Sequence, residues 1–463
     1  MRSLSIFGTS SDAGKSTISF ALTYLLHHKG FKVAPFKAQN VSNNAVACDE
    51  GGEIAQAQHF AASSISLPTQ SDFNPVLLKS GTKNHAALII NGKQEAQKSV
   101  QDYYKDLNQL KPIVKSAYER LLNNFDMIVA EGAGSPVELN LMDKDLSNIY
   151  IADTFNTKII LVADIERGGV FASIWGVYNL LPEKLKNNVI GVIINKFRGD
   201  QSLFDEGRTI IQERFGIKVL GVVDYRPFNL GFEDSQSLIN YTQENHDPKI
   251  SVAVIKLPHM SNFTDFEPLI ADSEVTLCFI DDFTKLNQFD LIILPGTKRT
   301  IHDLLWLKSR DFSQNFMDFK GVTVAICGGY QMMFETLSDP FGLEHKAGSR
   351  EKGFAKISGE VSFNKEKIVQ KKQYKIFNIT LEGYEVHNGF HQTIFTELPQ
   401  FYGTFVHGIF DSNDFRKKVF SSINEDYQGF DFQTYKEKSI KSYAQHIEDA
   451  IDLDNIIKAL YDE

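Results

Sequence analysis

The sequence has few cysteines, a deficit of positive charge and no long apolar run. Its 463 residues contain only Cys48, Cys278 and Cys327, too few and too scattered for a disulfide framework or a cysteine metal site. The net charge of −10 argues against a nucleic-acid-binding protein, because such proteins hold phosphates with basic side chains. No apolar run reaches membrane-spanning length, and the glycine-rich motif near the N-terminus leaves no room for a signal peptide. We therefore expect a cytoplasmic protein that binds neither nucleic acid nor membranes.

The order of apolar runs predicts two α/β domains. With 42% hydrophobic residues the chain can form large cores. In each half, short apolar runs that end at turn residues alternate with helical stretches, which is typical of doubly wound parallel sheets. A polar segment that ends in proline, residues 241–249, is the predicted linker between domains 1–240 and 250–463. The predicted strands are Leu4–Phe7, Met127–Ala130, Ile159–Ala163 and Val189–Ile194, then Ile250–Lys256, Leu291–Leu294 and Val322–Ile326.

A phosphate-binding loop lies between the first predicted strand and the first predicted helix. Backbone N–H groups of such a loop surround phosphate oxygens, while Lys15 neutralises the β- and γ-phosphates and the Ser16 hydroxyl holds Mg²⁺. Gly8 stands one residue earlier than the strict motif requires, and this stretched form resembles the loop of dethiobiotin synthetase and its relatives, which use ATP to activate carboxylates. The predicted ATP-binding residues are Gly8, Thr9, Asp12, Ala13, Gly14, Lys15, Ser16 and Thr17.

Two polar residues at other strand ends complete the predicted ATP site. Glu131 emerges at the carboxyl end of a strand, where ligands bind in such sheets, and its carboxylate suits Mg²⁺; the alternative is a helix cap. Asn195 follows another strand and is the candidate for a hydrogen bond to adenine, with a simple polar turn as the alternative. The predicted metal ligands are Ser16, Glu53 and Glu131.

Cys327 has the sequence context of a nucleophile. It follows the apolar strand Val322–Ile326 and precedes Gly328 and Gly329, the layout of a sharp strand-to-helix turn that exposes a reactive side chain. The helix N-terminus favours a thiolate, and backbone N–H groups at such a turn can bind an oxyanion. Cys278 lies within an apolar strand and is expected to be a core residue.

His407 is the predicted base for this thiol, because it follows a short strand and is flanked by glycine. His387, in the segment Gly-Tyr-Glu-Val-His, is the rival. The Pro-Gly turn after the strand Leu291–Leu294 is a candidate second part of the oxyanion hole. The predicted oxyanion and substrate pocket consists of Gly296, Gly328, Gly329 and Gln331.

These segments, taken in order, resemble the cobyric acid synthase family over nearly the whole chain. No single segment is decisive, but their number and order are specific. The matching stretches include SDAGKS at 11–16, APFKAQN at 34–40, GGEIAQAQ at 51–58, NPVLLK at 74–79, EGAGSPVELNL from 131, ILVADIERGGVFAS from 160, INKFRGD from 194, ICGGYQMM from 326 and GYEVH at 383–387.

The resemblance implies an N-terminal synthetase domain and a C-terminal class I glutamine amidotransferase domain. It implies amidation of the b, d, e and g carboxylates of adenosylcobyrinic acid a,c-diamide, a corrinoid, with glutamine, ATP and Mg²⁺. Cys327 matches the glutaminase nucleophile and His407 its catalytic histidine. That class normally carries a Glu two residues after the histidine, but Ile409 stands there, so Glu385 is the candidate orienting carboxylate.

Two alternatives stay open at the level of sequence. A sibling amidotransferase, such as an a,c-diamide synthase or an enzyme that amidates a cell-wall precursor, would share both half-sites and differ in its acceptor. A regulatory P-loop ATPase fused to an inactive glutaminase-like domain is the alternative from another class. The presence of Lys15, Ser16, Cys327 and His407 argues against the second.

Overall fold

A computed structural model of the protein describes residues 2–80, 85–99, 107–231 and 248–461. The predicted linker 241–249 lies outside the described residues except for Pro248 and Lys249. No helix within these ranges is both long and apolar enough to cross a membrane.

The strands are numbered in chain order. They are β1 Arg2–Gly8, β2 Val33–Phe36, β3 Gln39–Val41, β4 Ala45–Ala47, β5 Glu53–Ala55, β6 Val76–Ser80, β7 His85–Ile90, β8 Lys93–Ser99, β9 Met127–Glu131, β10 Lys158–Asp164, β11 Val189–Phe197, β12 Val219–Asp224, β13 Ile250–Ile255, β14 Val275–Ile280, β15 Leu291–Leu294, β16 Val322–Ile326, β17 Phe334–Asp339, β18 Ser349–Lys352, β19 Ile357–Ile376, β20 Ile379–Phe390, β21 Phe395–Leu398 and β22 Phe401–Thr404.

The helices connect and cover these strands. The α-helices span Lys15–His28, Gln56–Ser64, Leu107–Asn124, Ile149–Phe155, Val170–Leu180, Glu183–Lys186, Asp205–Phe215, Glu267–Ala271, Thr300–Lys308, Phe312–Asp318, Gly328–Gln331, Asn413–Ser421, Phe432–Ala450 and Leu453–Ala459. The 3₁₀ turns span Ser71–Phe73, Met142–Lys144, Gln201–Phe204, Phe263–Phe266, Phe283–Gln288 and Ile409–Asp411.

The first compact unit contains Met1–Ser42, Ile54–Phe228 and Glu437–Glu463. Its main sheet is wholly parallel, in the order β12-β11-β10-β1-β9-β2. The strands are almost completely apolar and buried, as parallel strands covered by helices must be. Strand order reverses beside β1, so the carboxyl end of β1 opens at a topological switch point, where α/β sheets bind ligands.

The second compact unit contains Asn43–Glu53 and Asn229–Lys436. Its main sheet has the order β14-β13-β15-β16-β22-β21, and only the β21–β22 pair is antiparallel. A smaller sheet, β18-β17-β19-β20, belongs to the same unit. Because β15, β16 and β22 are parallel neighbours, the residues that follow them meet at one edge of the main sheet.

The two α/β domains expected from the sequence are present, each built on a parallel sheet. The compact units nevertheless differ from the division into residues 1–240 and 250–463 in two segments. Residues 43–53 belong to the second unit, and residues 437–463 return to the first. The return is held by the sheet edge, since the Asp452 N–H donates to the Leu220 carbonyl over 2.8 Å.

Candidate active sites

The phosphate loop lies where the sequence predicts it, between β1 and the helix Lys15–His28. Gly14 precedes the helix with φ 91°, a left-handed conformation that favours glycine. A Cβ atom at Gly14 would lie 2.1 Å from the amide nitrogen of Asn195. That amide donates a hydrogen bond to the Ala13 carbonyl over 2.9 Å. Asn195 therefore supports the loop itself, and its adenine contact stays a prediction.

Charged side chains surround the same loop. Lys15 Nζ lies 3.4 Å from the Ser10 carbonyl, so this cation is folded over the loop that is to hold phosphate. Lys196 Nζ contacts both the Asp12 carbonyl and, over 3.0 Å, the Asp164 carboxylate. Asp164 ends β10, beside β1 in the sheet, and sequence reasoning did not select it. Its position after an apolar strand was the signal that could have identified it.

Glu131 joins three elements of the nucleotide site. Its Oε1 atom accepts a hydrogen bond from the Ser16 hydroxyl over 2.8 Å and lies 2.8 Å from Lys37 Nζ. All three come from the carboxyl ends of neighbouring strands or the helix that follows, and Glu131 and Lys37 are buried. A hydroxyl and a carboxylate oxygen that converge in this way fit the hard oxygen ligands that Mg²⁺ requires.

Glu53, the third predicted metal ligand, has a different partner. Its buried carboxylate forms an ion pair with the partly exposed Lys367, with Oε1 2.6 Å from Nζ, within the second unit. The role of Glu53 as a metal ligand stays a prediction. Lys37, which lies in the matching stretch APFKAQN, is the cation beside Glu131.

Cys327 lies at a strained turn between β16 and the short helix Gly328–Gln331. Its φ of 49° and ψ of −108° are unusual for a residue with a side chain. Such a conformation is the mark of a nucleophile elbow, because it holds the side chain away from the strand. The turn requires glycine next to it, since a Cβ at Gly329 would lie 2.2 Å from the Leu294 carbonyl oxygen.

His407 follows β22 and is held by Asp265. His407 Nδ1 lies 2.7 Å from Asp265 Oδ2, and the other oxygen of that carboxylate accepts the Gly408 N–H over 2.8 Å. Burial lowers the pKa of His407, but the negative charges and hydrogen bonds of Asp265 and the Cys327 thiolate outweigh burial and raise the pKa to about 10. Cys327, His407 and Asp265 thus form one continuous, buried nucleophile–base–acid series.

Glu385, the predicted orienting carboxylate, does not face His407, and Asp265 corrects that assignment. Glu385 Oε2 lies 2.9 Å from His387 Nε2, and its Oε1 accepts from Tyr374 and Gln370. Burial raises the pKa of Glu385, but these hydrogen bonds and the charge of His387 hold it below its ordinary value. The rival histidine is likewise committed to this pair. Alternation along β20 explains both results, because residues 385 and 387 share one face of the strand.

The predicted oxyanion residues border the thiol to different degrees. A Cβ at Gly296 would lie 2.7 Å from His407 Cε1 and 3.7 Å from Cys327 Cβ, so the Pro-Gly turn runs beside both catalytic groups. A Cβ at Gly328 would lie 3.0 Å from the backbone nitrogen of Thr297. Gln331 is turned elsewhere, since its buried Oε1 accepts from the Thr300 hydroxyl over 3.1 Å.

Comparison with known proteins matches both halves of the chain. Residues 4–230 match the CobQ/CobB/MinD/ParA nucleotide binding domain, and residues 251–415 match the CobB/CobQ-like glutamine amidotransferase domain. The chain is 52% identical to a cobyric acid synthase of Acinetobacter baylyi, with 100% of each chain covered. It is 37% identical to a cobyric acid synthase of Trichodesmium erythraeum, with 90% of each covered. Against that of Clostridium kluyveri the identity is 36%, over 91% of this chain and 90% of the relative.

Proposed function

The chain belongs to the cobyric acid synthase family, and we propose that it amidates carboxylates of a corrinoid with the two sites described above. It is an ATP-dependent carbon–nitrogen ligase of cobalamin biosynthesis that takes nitrogen from glutamine. The Cys327–His407–Asp265 series carries the assignment of the glutaminase site, because it supplies a nucleophile, a proton carrier and an orienting carboxylate. We assign the synthetase reaction to the domain 1–240 and the glutaminase reaction to the domain 250–463.

In the glutaminase reaction the Cys327 thiolate attacks the side-chain carbonyl carbon of glutamine. The resulting oxyanion is placed beside the backbone of Gly296 and Gly328. The His407 imidazolium gives its Nε2 proton to the departing nitrogen, which leaves as ammonia, and a thioester remains. His407 then accepts a proton from the water that attacks the thioester, so glutamate and the thiolate are released. Asp265 holds Nδ1 and stabilises the imidazolium throughout.

In the synthetase reaction a substrate carboxylate oxygen attacks the γ-phosphorus of ATP, giving an acyl phosphate and ADP. Ammonia then attacks the acyl carbon and displaces phosphate, which leaves the amide. Lys15 offsets the charge on the transferred phosphoryl group. Ser16 and Glu131 would hold Mg²⁺, which would supply positive charge beside the ATP phosphates.

The acceptor we propose is adenosylcobyrinic acid a,c-diamide, amidated at its b, d, e and g carboxylates. Support comes from the cobyric acid synthases of Acinetobacter baylyi and Trichodesmium erythraeum, which align over 100% and 90% of this chain. A cytoplasmic location is part of the same proposal, because ATP and glutamine are products of metabolism inside the cell.

An amidation assay tests the function. The purified chain would receive MgATP, glutamine and the a,c-diamide, and mass spectrometry would follow the corrinoid. We expect a product with four new amides, with ADP and glutamate formed in step with them. Amidation of cobyrinic acid at a and c instead would assign the chain to the sibling reaction. Absence of any amide product with either acceptor would overturn the proposed function.

A further inference from the structure

Residues 43–53 connect the two units through the covalent chain. The segment leaves the nucleotide-binding unit after Ser42, belongs to the second unit, and rejoins the first at Ile54. Ion pairs fasten its far end, with Lys371 Nζ 3.0 Å from Asp49 and Lys367 Nζ 2.6 Å from Glu53. Near its start, the Asn43 side chain accepts a hydrogen bond from Lys298. The segment is therefore attached at both ends within the glutaminase unit.

Asn44 caps a 3₁₀ turn that lies 218 positions away in the sequence. Its buried Oδ1 accepts the backbone N–H groups of Asn262 over 3.1 Å and Phe263 over 3.4 Å. These are the first donors of the turn Phe263–Phe266, and such groups need a partner when buried. The residue that usually provides the cap, Asn262, has φ 58° and makes no side-chain capping bond. Asn44 takes over this role.

The capped turn carries Asp265. The Asp265 N–H donates to the Asn262 carbonyl over 3.2 Å. The same backbone residue that Asn44 holds therefore also holds the backbone of Asp265. The preceding Ser261 N–H donates to the Gly296 carbonyl over 3.0 Å. A shift of residues 261–263 would therefore move both the carboxylate behind His407 and the Pro-Gly turn beside Cys327.

We propose that Asn44 is a positioning residue for the glutaminase reaction. By capping the turn Phe263–Phe266 it holds the Asp265 carboxylate in line with His407 Nδ1. The inference rests on the proposed glutaminase function and extends it to a residue outside the glutaminase domain predicted from the sequence. Because Lys37 of the nucleotide site lies only a few residues before Asn44, the same short stretch of chain serves both reactions.

The full-length Asn44→Ala variant tests this role. We expect its kcat/KM for glutamine to fall by about 10- to 100-fold, the usual effect of removing a group that orients a catalytic side chain. Amidation supported by a high concentration of ammonium should be unchanged. Weaker contact with Asp265 lowers the pKa of His407, so the high-pH limb of glutamine hydrolysis should move to lower pH. Asn44→Asp should restore both properties, since its carboxylate accepts the same two N–H groups.

Asp49→Asn provides the matched control, because it removes a tether of the segment without touching the turn. We expect its glutamine kcat/KM and its pH profile to match those of the native chain. An Asn44→Ala variant with native glutamine kinetics and a native pH limb would overturn the proposal. Equal losses with glutamine and ammonium, together with a lower Tm, would also overturn it, because they indicate a purely structural role.

The rate at which iodoacetamide alkylates Cys327, measured against pH, separates this inference from the proposed function. It needs neither ATP nor a corrinoid. A less stabilised imidazolium supports the thiolate less, so a shift to higher pH of the rise in alkylation rate in Asn44→Ala, reversed in Asn44→Asp, supports the positioning role even if no corrinoid is amidated. Unchanged alkylation in a chain that does amidate corrinoids would refute the positioning role alone.

Discussion

His407 Nδ1 lies 2.7 Å from Asp265 Oδ2, although 142 positions separate the two residues in the chain. Both side chains are almost fully buried, so the pair is shielded from solvent. Position 409, where the class I amidotransferases usually carry the acid, is the buried Ile409. The acid therefore reaches the histidine from a separate turn, and the catalytic series keeps three members.

Replacing Asp265 with Asn removes the charge but keeps the size of the side chain. We expect kcat/KM for glutamine to fall by about 100-fold or more, because His407 loses the partner that fixes its tautomer and stabilises its charged form. Amidation from ammonium should stay near its native rate. Steady-state kinetics with each nitrogen source would check this, and native glutamine kinetics would contradict the role of Asp265.

The pH dependence of the glutaminase reaction provides a second test. The pKa of His407 is raised to about 10, so the imidazolium that donates to the leaving nitrogen is kept at neutral pH and is lost only as pH rises toward that value. In Asp265→Asn the largest raising charge is gone, and burial then lowers the pKa. We expect the alkaline fall in kcat/KM to move to lower pH. An alkaline limb at the same pH in both proteins would count against the pair.

Cys327→Ala should separate the two reactions. Glutamine use should be lost, because no thiolate is left to attack the amide. Amidation with a high concentration of ammonium should continue, because the nucleotide site does not contain this residue. Parallel assays of glutamate release and amide formation would measure the split. Equal loss with both nitrogen donors would refute the assignment of two separate sites.

Glu131→Gln should act on the other reaction. The substitution keeps a hydrogen-bonding group near Ser16 but removes the charge that pairs with Lys37, and with it a proposed metal ligand. We expect amidation to fall by at least about tenfold with glutamine and with ammonium alike. Lys15→Ala should abolish both. Alkylation of Cys327 should be unaffected in either variant, and a parallel loss of thiol reactivity would show that the substitution had disturbed more than the nucleotide site.

Glu344 makes stability depend on pH. Desolvation raises the pKa of its carboxyl from 4.5 to about 8, and its Oε2 atom is buried without a hydrogen-bond partner among the described residues. The folded state thus binds this proton more tightly than the unfolded chain does. The associated stability is present at pH below about 4.5 and is lost as pH rises through about 8. We expect the Tm of Glu344→Gln to fall less between about pH 5 and pH 9 than the Tm of the native chain does. Thermal unfolding over this pH range would measure the difference.

The sequence was sufficient for the parts of the sites that follow directly from strands. Cys327, His407, Lys15 and Glu131 each stand at or after the carboxyl end of a short apolar run, and parallel neighbours bring such ends together. The position of these residues after apolar runs was therefore enough to predict that they lie at the edge of a parallel sheet. Both parallel sheets were predicted for the same reason.

Asp265 and Asn44 could not be found in this way. Asp265 lies on a 3₁₀ turn among aromatic residues, and nothing local distinguishes it from a surface aspartate. Its role depends on which segment folds against His407, a tertiary contact over 142 positions. Glu385 was the candidate orienting carboxylate because Ile409 stands where the class carries its acid, but strand alternation directs Glu385 to His387. The ion pair of Glu53 with Lys367 is likewise a contact between residues that are distant in the chain.

The return of residues 437–463 to the first unit has a consequence for synthesis on the ribosome. Domains usually fold in order as they emerge, N-terminal first. Here the edge strand β12 meets Ile451 and Asp452 only after residues 229–436 of the second unit have been translated. The nucleotide-binding unit therefore cannot complete its fold until the glutaminase unit has been synthesised. A stop codon shortly before residue 437 would give a chain that contains every residue of the thiol site. Its nucleotide-binding unit would lack the residues that contact β12.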